Sequence, residues 1–216
     1  MASSSRTPMN PSTTQGMPAV NQLILNAFNH QIFDQNNLDV QHMQLYDTIT
    51  LTAASTPTVS NTSFFSNVGP SSNKTVAQTN LTTNRVLQAP EAFSIMAFRL
   101  RWLENVLLAD LLGILQNYNF EFYIATKIYQ QAPLWIFGSG GGIWGVANTS
   151  STTFYTNGLP SRESMHRLNI PLVLDNQAQF YGQLNGGAFT LTATGSGGTG
   201  LQLQLALDGF WARGIL

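Results

Sequence analysis

The sequence predicts an all-β fold, a β-sandwich or barrel. Apolar residues recur every four positions up to about residue 38 and every two thereafter, a switch from helical to extended periodicity. Eight or more short alternating runs follow, and turn-forming residues separate them at Asp175-Asn176, Asn185-Gly186-Gly187 and Asp208-Gly209. The chain has 216 residues, enough for one large domain of this class.

Residues 1–18 are rich in Ser, Thr, Pro and Met without apolar periodicity, and they read as a disordered arm. Residues 19–36 read as an amphipathic helix, with Val20, Ile24, Phe28 and Ile32 in one row and Leu23 and Ala27 beside it. The opposite face carries Asn and Gln where a membrane-surface helix would be basic, so the expected role is packing against protein. Residues 37–216 form the sandwich domain. Asp47–Ala53 is its first clear strand, with Ile49, Leu51 and Ala53 on one face and threonines on the other. Residues 54–85 are a long polar excursion broken by Ser63-Phe64-Phe65, of a length that marks an interface loop. Ala92–Trp102 resumes the alternation. Leu103–Leu115 predicts a helical insertion, with Leu107, Leu111, Ile114 and Leu115 in a stripe that Gly113 weakens. Tyr118–Tyr129 reads as a single strand. Further strands are expected at Leu134–Phe137, Ile143–Ala147, Leu168–Leu174, Gln177–Leu184, Ala188–Thr194 and Leu201–Leu207.

Charge is scarce. Lys, Arg, Asp and Glu make up 9% of the chain, where about 25% is usual, and the net charge is −1. Ser, Thr, Asn and Gln supply the polarity instead. They hydrogen-bond without the desolvation cost of buried ions, so the surface suits burial between copies. A neutral surface in a secreted or thermophilic protein is the other reading. With no basic excess, no direct nucleic-acid binding is expected. Cysteine is absent, which excludes disulfides, thiolate metal sites and a cysteine nucleophile. No apolar run reaches the length of a membrane-spanning helix, and the N-terminus lacks the apolar core of a secretory signal.

Motifs for chemistry are weak. Gly140–Gly145 and Gly195–Gly200 both satisfy G-x-G-x-x-G, but neither opens a helix, and both read as connections between strands. The histidines His30, His42 and His166 show no metal-ligand spacing, so no metal or cofactor is expected. His166 near Glu163 and Ser164 would supply a general base only with a turn that presents the serine, and none is evident. No carboxylate pair is implied by spacing, and the chain is not expected to be an enzyme. Aromatic residues are the candidate packing or interface groups: Trp135, Trp144, Trp211, Phe64, Phe65, Tyr123 and Tyr129. Trp on an alternating strand usually fills a core, then an interface, and after these a sugar-stacking platform shared with Tyr181.

An arm, a helix and a sandwich with long polar loops resemble the single-jelly-roll coat proteins of tailless icosahedral bacteriophages with an internal membrane. The stretches that carry the resemblance are Thr79–Ile95, a polar excursion returning through a Leu-x-x-Pro corner, and Leu205–Ile215, similar to the closing strand of the roll. The resemblance implies a single jelly roll, a virion location and a non-enzymatic coat subunit. It also implies self-association as a homo-oligomer, with other capsid proteins and an internal membrane as further partners. The alternative is a receptor- or carbohydrate-binding sandwich of the fibre-tip or lectin kind.

Overall fold

The computed structural model describes residues 38–51, 63–69, 72–102, 106–138, 144–146, 154–156, 165–176, 178–187 and 201–214. In chain order the first elements are β1 (Leu38–Leu51), β2 (Ser63–Phe64), β3 (Glu91–Trp102), β4 (Val106–Leu107) and helix α1 (Leu108–Asn117). Strands β5 (Tyr118–Ile124) and β6 (Lys127–Pro133) follow, then a 3-10 turn at Leu134–Ile136. The remaining strands are β7 (Trp144–Val146), β8 (Phe154–Thr156), β9 (His166–Leu174), β10 (Phe180–Gly186) and β11 (Leu201–Gly214). One four-stranded sheet has the order β1-β11-β3-β9, a second β2-β10-β5-β6, and a small third sheet β4-β8-β7. Every pairing is antiparallel. The chain is therefore mostly β, with one α-helix among the described residues.

Alternation explains which face each strand buries. On β11, Leu201, Leu203, Leu205 and Leu207 are buried while Gln202, Gln204 and Ala206 are partly exposed. On β5, Phe120 and Phe122 are buried and meet Phe98 of β3 across the sandwich, with ring centroids 6.0 and 5.1 Å apart. Phe98 also contacts Phe137 edge-to-face at 6.1 Å, and Phe65 packs on Phe180 at 5.3 Å. Such pairs stabilise by about 0.5–1.5 kcal/mol beyond the area they bury. A single aromatic-rich cluster thus joins the two large sheets.

Several expectations need correction. Tyr118–Tyr129 is not one strand but the hairpin β5–β6, which turns at Ala125 and Thr126. Ala125 takes φ of 54°, and its N–H donates to Gln179 O at 2.6 Å, so a tertiary bond holds a turn that lacks Gly or Asn. Leu134–Phe137 is a 3-10 turn, because Pro133 ends the ladder just before it. Asp208-Gly209 is no turn. It lies inside β11, where the register against β3 shifts between these two residues. A Cβ on Gly209 would sit 1.9 Å from Ser94 O, so this glycine permits close backbone approach at a bulge. The helical insertion exists but begins at Leu108 rather than Leu103. The arm 1–18, the helix 19–36, the strand Ala188–Thr194 and the second glycine motif lie outside the described residues.

Candidate assembly surface

The face of the β2-β10-β5-β6 sheet turned away from the core is built by two alternating triplets. Asn119, Glu121 and Tyr123 of β5 stand opposite Asn185, Gln183 and Tyr181 of β10 in register. Their neighbours Phe120, Phe122, Phe180 and Leu184 fill the core, which forces these six polar residues outward. Glu121 is the hub. Its carboxylate accepts hydrogen bonds from Tyr123 Oη at 2.6 Å, Gln131 Nε2 at 2.8 Å, Asn185 Nδ2 at 2.5 Å and Asn119 Nδ2 at 3.4 Å. Gln183 Nε2 in turn donates to Asn185 Oδ1 at 2.9 Å. The bond to Glu121, with a smaller contribution from burial, pushes the Tyr123 hydroxyl up to about 12. Tyr123 and Tyr181 stack at 4.7 Å and 5° between planes, and the Arg85 guanidinium lies 4.6 Å from the Tyr181 ring. The result is a rigid face in which one carboxylate is surrounded by neutral donors.

The sheet edges are treated differently from one another. Asn80 seals β1: its N–H donates to Tyr46 O, its Oδ1 accepts from the Tyr46 N–H, and its Nδ2 donates to Gln44 O. β2 has only two residues, and β9 carries Pro171 and an irregular register. β6 is the terminal strand of its sheet and is mostly exposed. Lys127 opens it, Tyr129 bulges from the ladder and Pro133 closes it, features that resist indiscriminate edge pairing. Ile128 and Tyr129 near its start are each 41% exposed, and Trp135 just past its end is 64% exposed.

The aromatic candidates separate into groups. Phe64 and Phe65 are fully buried core residues. Trp211 is half-buried and meets Phe93 edge-to-face at 5.9 Å. Tyr123 belongs to the polar face, while Tyr129 and Trp135 are exposed along the β6 side, with Lys127 Nζ 5.3 Å from the Tyr129 ring. Trp144 lies on β7, and its side chain is outside the described residues. A sugar platform of Tyr123 and Tyr181 meets an obstacle, since these rings stack on each other. Glu121 and Arg85 were not singled out by sequence reasoning. The alternation of both triplets is visible in the sequence, but their opposition depends on the β5–β10 register, which sets Glu121 against Gln183.

Other groups offer less chemistry. Burial lowers the pKa of His166, whose ring packs on Phe137 at 4.8 Å, while Glu163 and Ser164 lie outside the described residues. The first glycine motif leads into strand β7 rather than a helix, a context in which a dinucleotide fingerprint does not operate. A shallow pocket of about 260 Å³ lies at the ends of β1, β3 and β11, lined by Asp39, Gln41, Met43, Glu91, Trp211 and Arg213. There Arg213 Nε bonds Asp39 at 3.1 Å, and burial raises the Glu91 pKa against the pull of Arg213. Among the described residues no three acidic or histidine side chains gather as a metal site, and no helix is long and apolar enough to cross a membrane. Comparison of the chain with protein families, with curated proteins and with solved structures returns no significant similarity.

Proposed function

We propose that this chain is a virion structural protein, a coat subunit of single-jelly-roll fold that self-assembles into an icosahedral shell. The fold part of the reading rests on strand pairing. Numbering the eight strands of the two large sheets 1 to 8 along the chain, the pairs β1–β11, β2–β10, β3–β9 and β5–β6 are 1–8, 2–7, 3–6 and 4–5. That is one long hairpin. The remaining pairs, β11–β3 and β10–β5, are those made when the hairpin rolls up on itself. Jelly rolls of this kind serve shells, lectins and cupins alike, so the function must come from the surface.

The observation that carries the assembly reading is the outer face around Glu121. Its side chains are already locked to one another, so burying it against a neighbour orders little that was free. It holds a single carboxylate saturated by donors, together with Tyr and Arg, the residue types enriched in interfaces. A chain with 9% charged residues also generates little repulsion between copies at the high local concentration of a shell. Other capsid proteins and an internal membrane belong to the same proposal as further partners.

The test is electron microscopy and sedimentation of the purified chain, beside the variant Gln183→Lys with Ile128→Lys. Wild type is expected to form particles or large oligomers. The variant should melt at the same temperature yet remain small, because both lysines sit on the surfaces expected to be buried. A wild-type monomer retained on glycans, indifferent to these changes, would replace the coat reading with the carbohydrate-binding one.

A further inference from the structure

The inner face of the β1-β11-β3-β9 sheet continues past the end of the core. Leu45, Asp47 and Ile49 of β1 are buried, and the same face runs outward through Met43, Gln41 and Asp39, of which Met43 and Gln41 are exposed. The register sets these residues in cross-strand rows. Gln41 stands beside Trp211, and Trp211 beside Phe93; one row further out, Asp39 stands beside Arg213, and Arg213 beside Glu91. With Met43 they line a shallow hollow of about 260 Å³. Its charges do not balance, because one guanidinium serves two carboxylates. Arg213 Nε bonds Asp39 Oδ2 at 3.1 Å, and Gln41 Nε2 donates to the same oxygen at 3.0 Å. Glu91, on the other side of Arg213, has its pKa raised by burial; the Arg213 charge and a backbone hydrogen bond from Gln88 do not cancel the rise. A chain with only 9% charged residues thus places three of them in one row. The Trp211 indole is held edge-to-face on Phe93 at 5.9 Å and stays partly exposed. The lining therefore combines an excess of negative charge, an aromatic ring and the apolar Met43.

We propose that this hollow binds an alkylammonium group, a cation on an apolar stem, with Glu91 and Asp39 toward the charge and Trp211 and Met43 toward the stem. The class of ligand follows from the lining. An anion would meet two carboxylates, and the one guanidinium there already bonds Asp39. A neutral ligand would leave the surplus carboxylate uncompensated. A cation beside Glu91 offsets that charge, and the indole adds cation–π attraction. The volume lies below the roughly 300–1,000 Å³ of sites for drug-sized ligands, which suits one side chain or a small amine. Two sources present this chemistry: a free amine, or a lysine of another copy. The chain has two lysines, and Lys74 is paired with Asp47, so the second source is Lys127 at the exposed start of β6. The inference does not rest on the coat reading, because a free amine would bind an isolated subunit.

Butylammonium is the probe, with 1-butanol as its uncharged counterpart and methyl glucoside as a sugar. Saturation-transfer NMR on the full-length chain reads binding from the probe's own resonances, so it serves a single subunit and a particle alike. Wild type should transfer at least about fivefold more saturation to butylammonium than to 1-butanol. Glu91→Gln, which keeps size and shape, should lower the butylammonium signal by about the same factor. Where Glu91→Gln does not fold, Asp39→Asn takes its place with the same outcomes. Carbodiimide, which joins a carboxylate to an amine in contact with it, then separates the sources. A link from Lys127 to Glu91 or Asp39 between isotopically distinct chains, found by mass spectrometry, makes another copy the occupant. No such link, with butylammonium bound, makes it a free amine. No butylammonium signal, equal signals from amine and alcohol, indifference to Glu91→Gln, or a stronger signal from methyl glucoside would overturn the inference.

Discussion

Beneath the connection between β2 and β3, Asp47 is fully buried and accepts hydrogen bonds from Lys74 Nζ and the Phe65 N–H, both at 2.7 Å. Burial raises its pKa, and the Lys74 charge and these bonds pull the other way without cancelling the rise. The folded chain therefore takes up this proton more readily than the unfolded chain does. Stability from the group is full below the ordinary carboxylate value and declines as pH rises through the raised one. Lys74→Met removes the cation paired with Asp47 and strands a buried carboxylate. The variant should lose about 3 kcal/mol at neutral pH, and the loss should shrink as the pH falls and Asp47 takes up its proton. Thermal melts at pH 7 and pH 4 check this; a loss that is equal at both would show that Lys74 acts through packing alone. The alternation Asp47, Ile49, Leu51 places a carboxylate on the core face in the sequence itself. Its partner, 27 residues away, is not visible there, because a loop's return path is set by tertiary contacts rather than periodicity.

Elements were legible where one face is buried and the other wet. β3 and β9 stand close to their expected positions, while β11 starts where expected and runs on past the expected turn. The failures share a cause. Turn chemistry is judged from local residue preference, while Ala125 turns because a distant carbonyl holds it, and Gly209 stays in its strand because Ser94 lies close. The contrast between two glycines makes this measurable. Gly209→Ala drives a methyl into the Ser94 carbonyl and should cost about 3 kcal/mol or more. Gly187→Ala, just after β10, meets nothing within 4 Å and should change stability by less than about 0.5 kcal/mol. Chemical denaturation of both variants decides it. Equal effects would mean that the shift in β11 tolerates a side chain and that its glycine has another role.

At the scale of the whole molecule, the two sheets were foreseeable and their strand order was not. Pairing β1 with β11 joins residues at least 150 positions apart, such as Leu51 with Leu201, and no local pattern encodes that choice. The polar outer face around Glu121 has the same limitation, because its two triplets become one surface only through the β5–β10 register. The proposed coat function makes a demand of the whole chain that the fold alone does not. A shell subunit must fold as a unit and also hold its neighbours, and these two capacities should be separable by truncation. Residues 1–18 carry Ser, Thr, Pro and Met with no apolar period to bury, so they have little to contribute to the stability of one subunit. Ordered on a neighbour, the same residues would add contacts between copies at the entropy cost of fixing them. Deleting 1–18 should therefore shift stability by less than about 0.5 kcal/mol while particle yield falls severalfold. Melting curves and negative-stain particle counts on the same preparations measure both. If melting temperature and yield fall together, the arm is part of the subunit's own core and does not act as a tie between subunits.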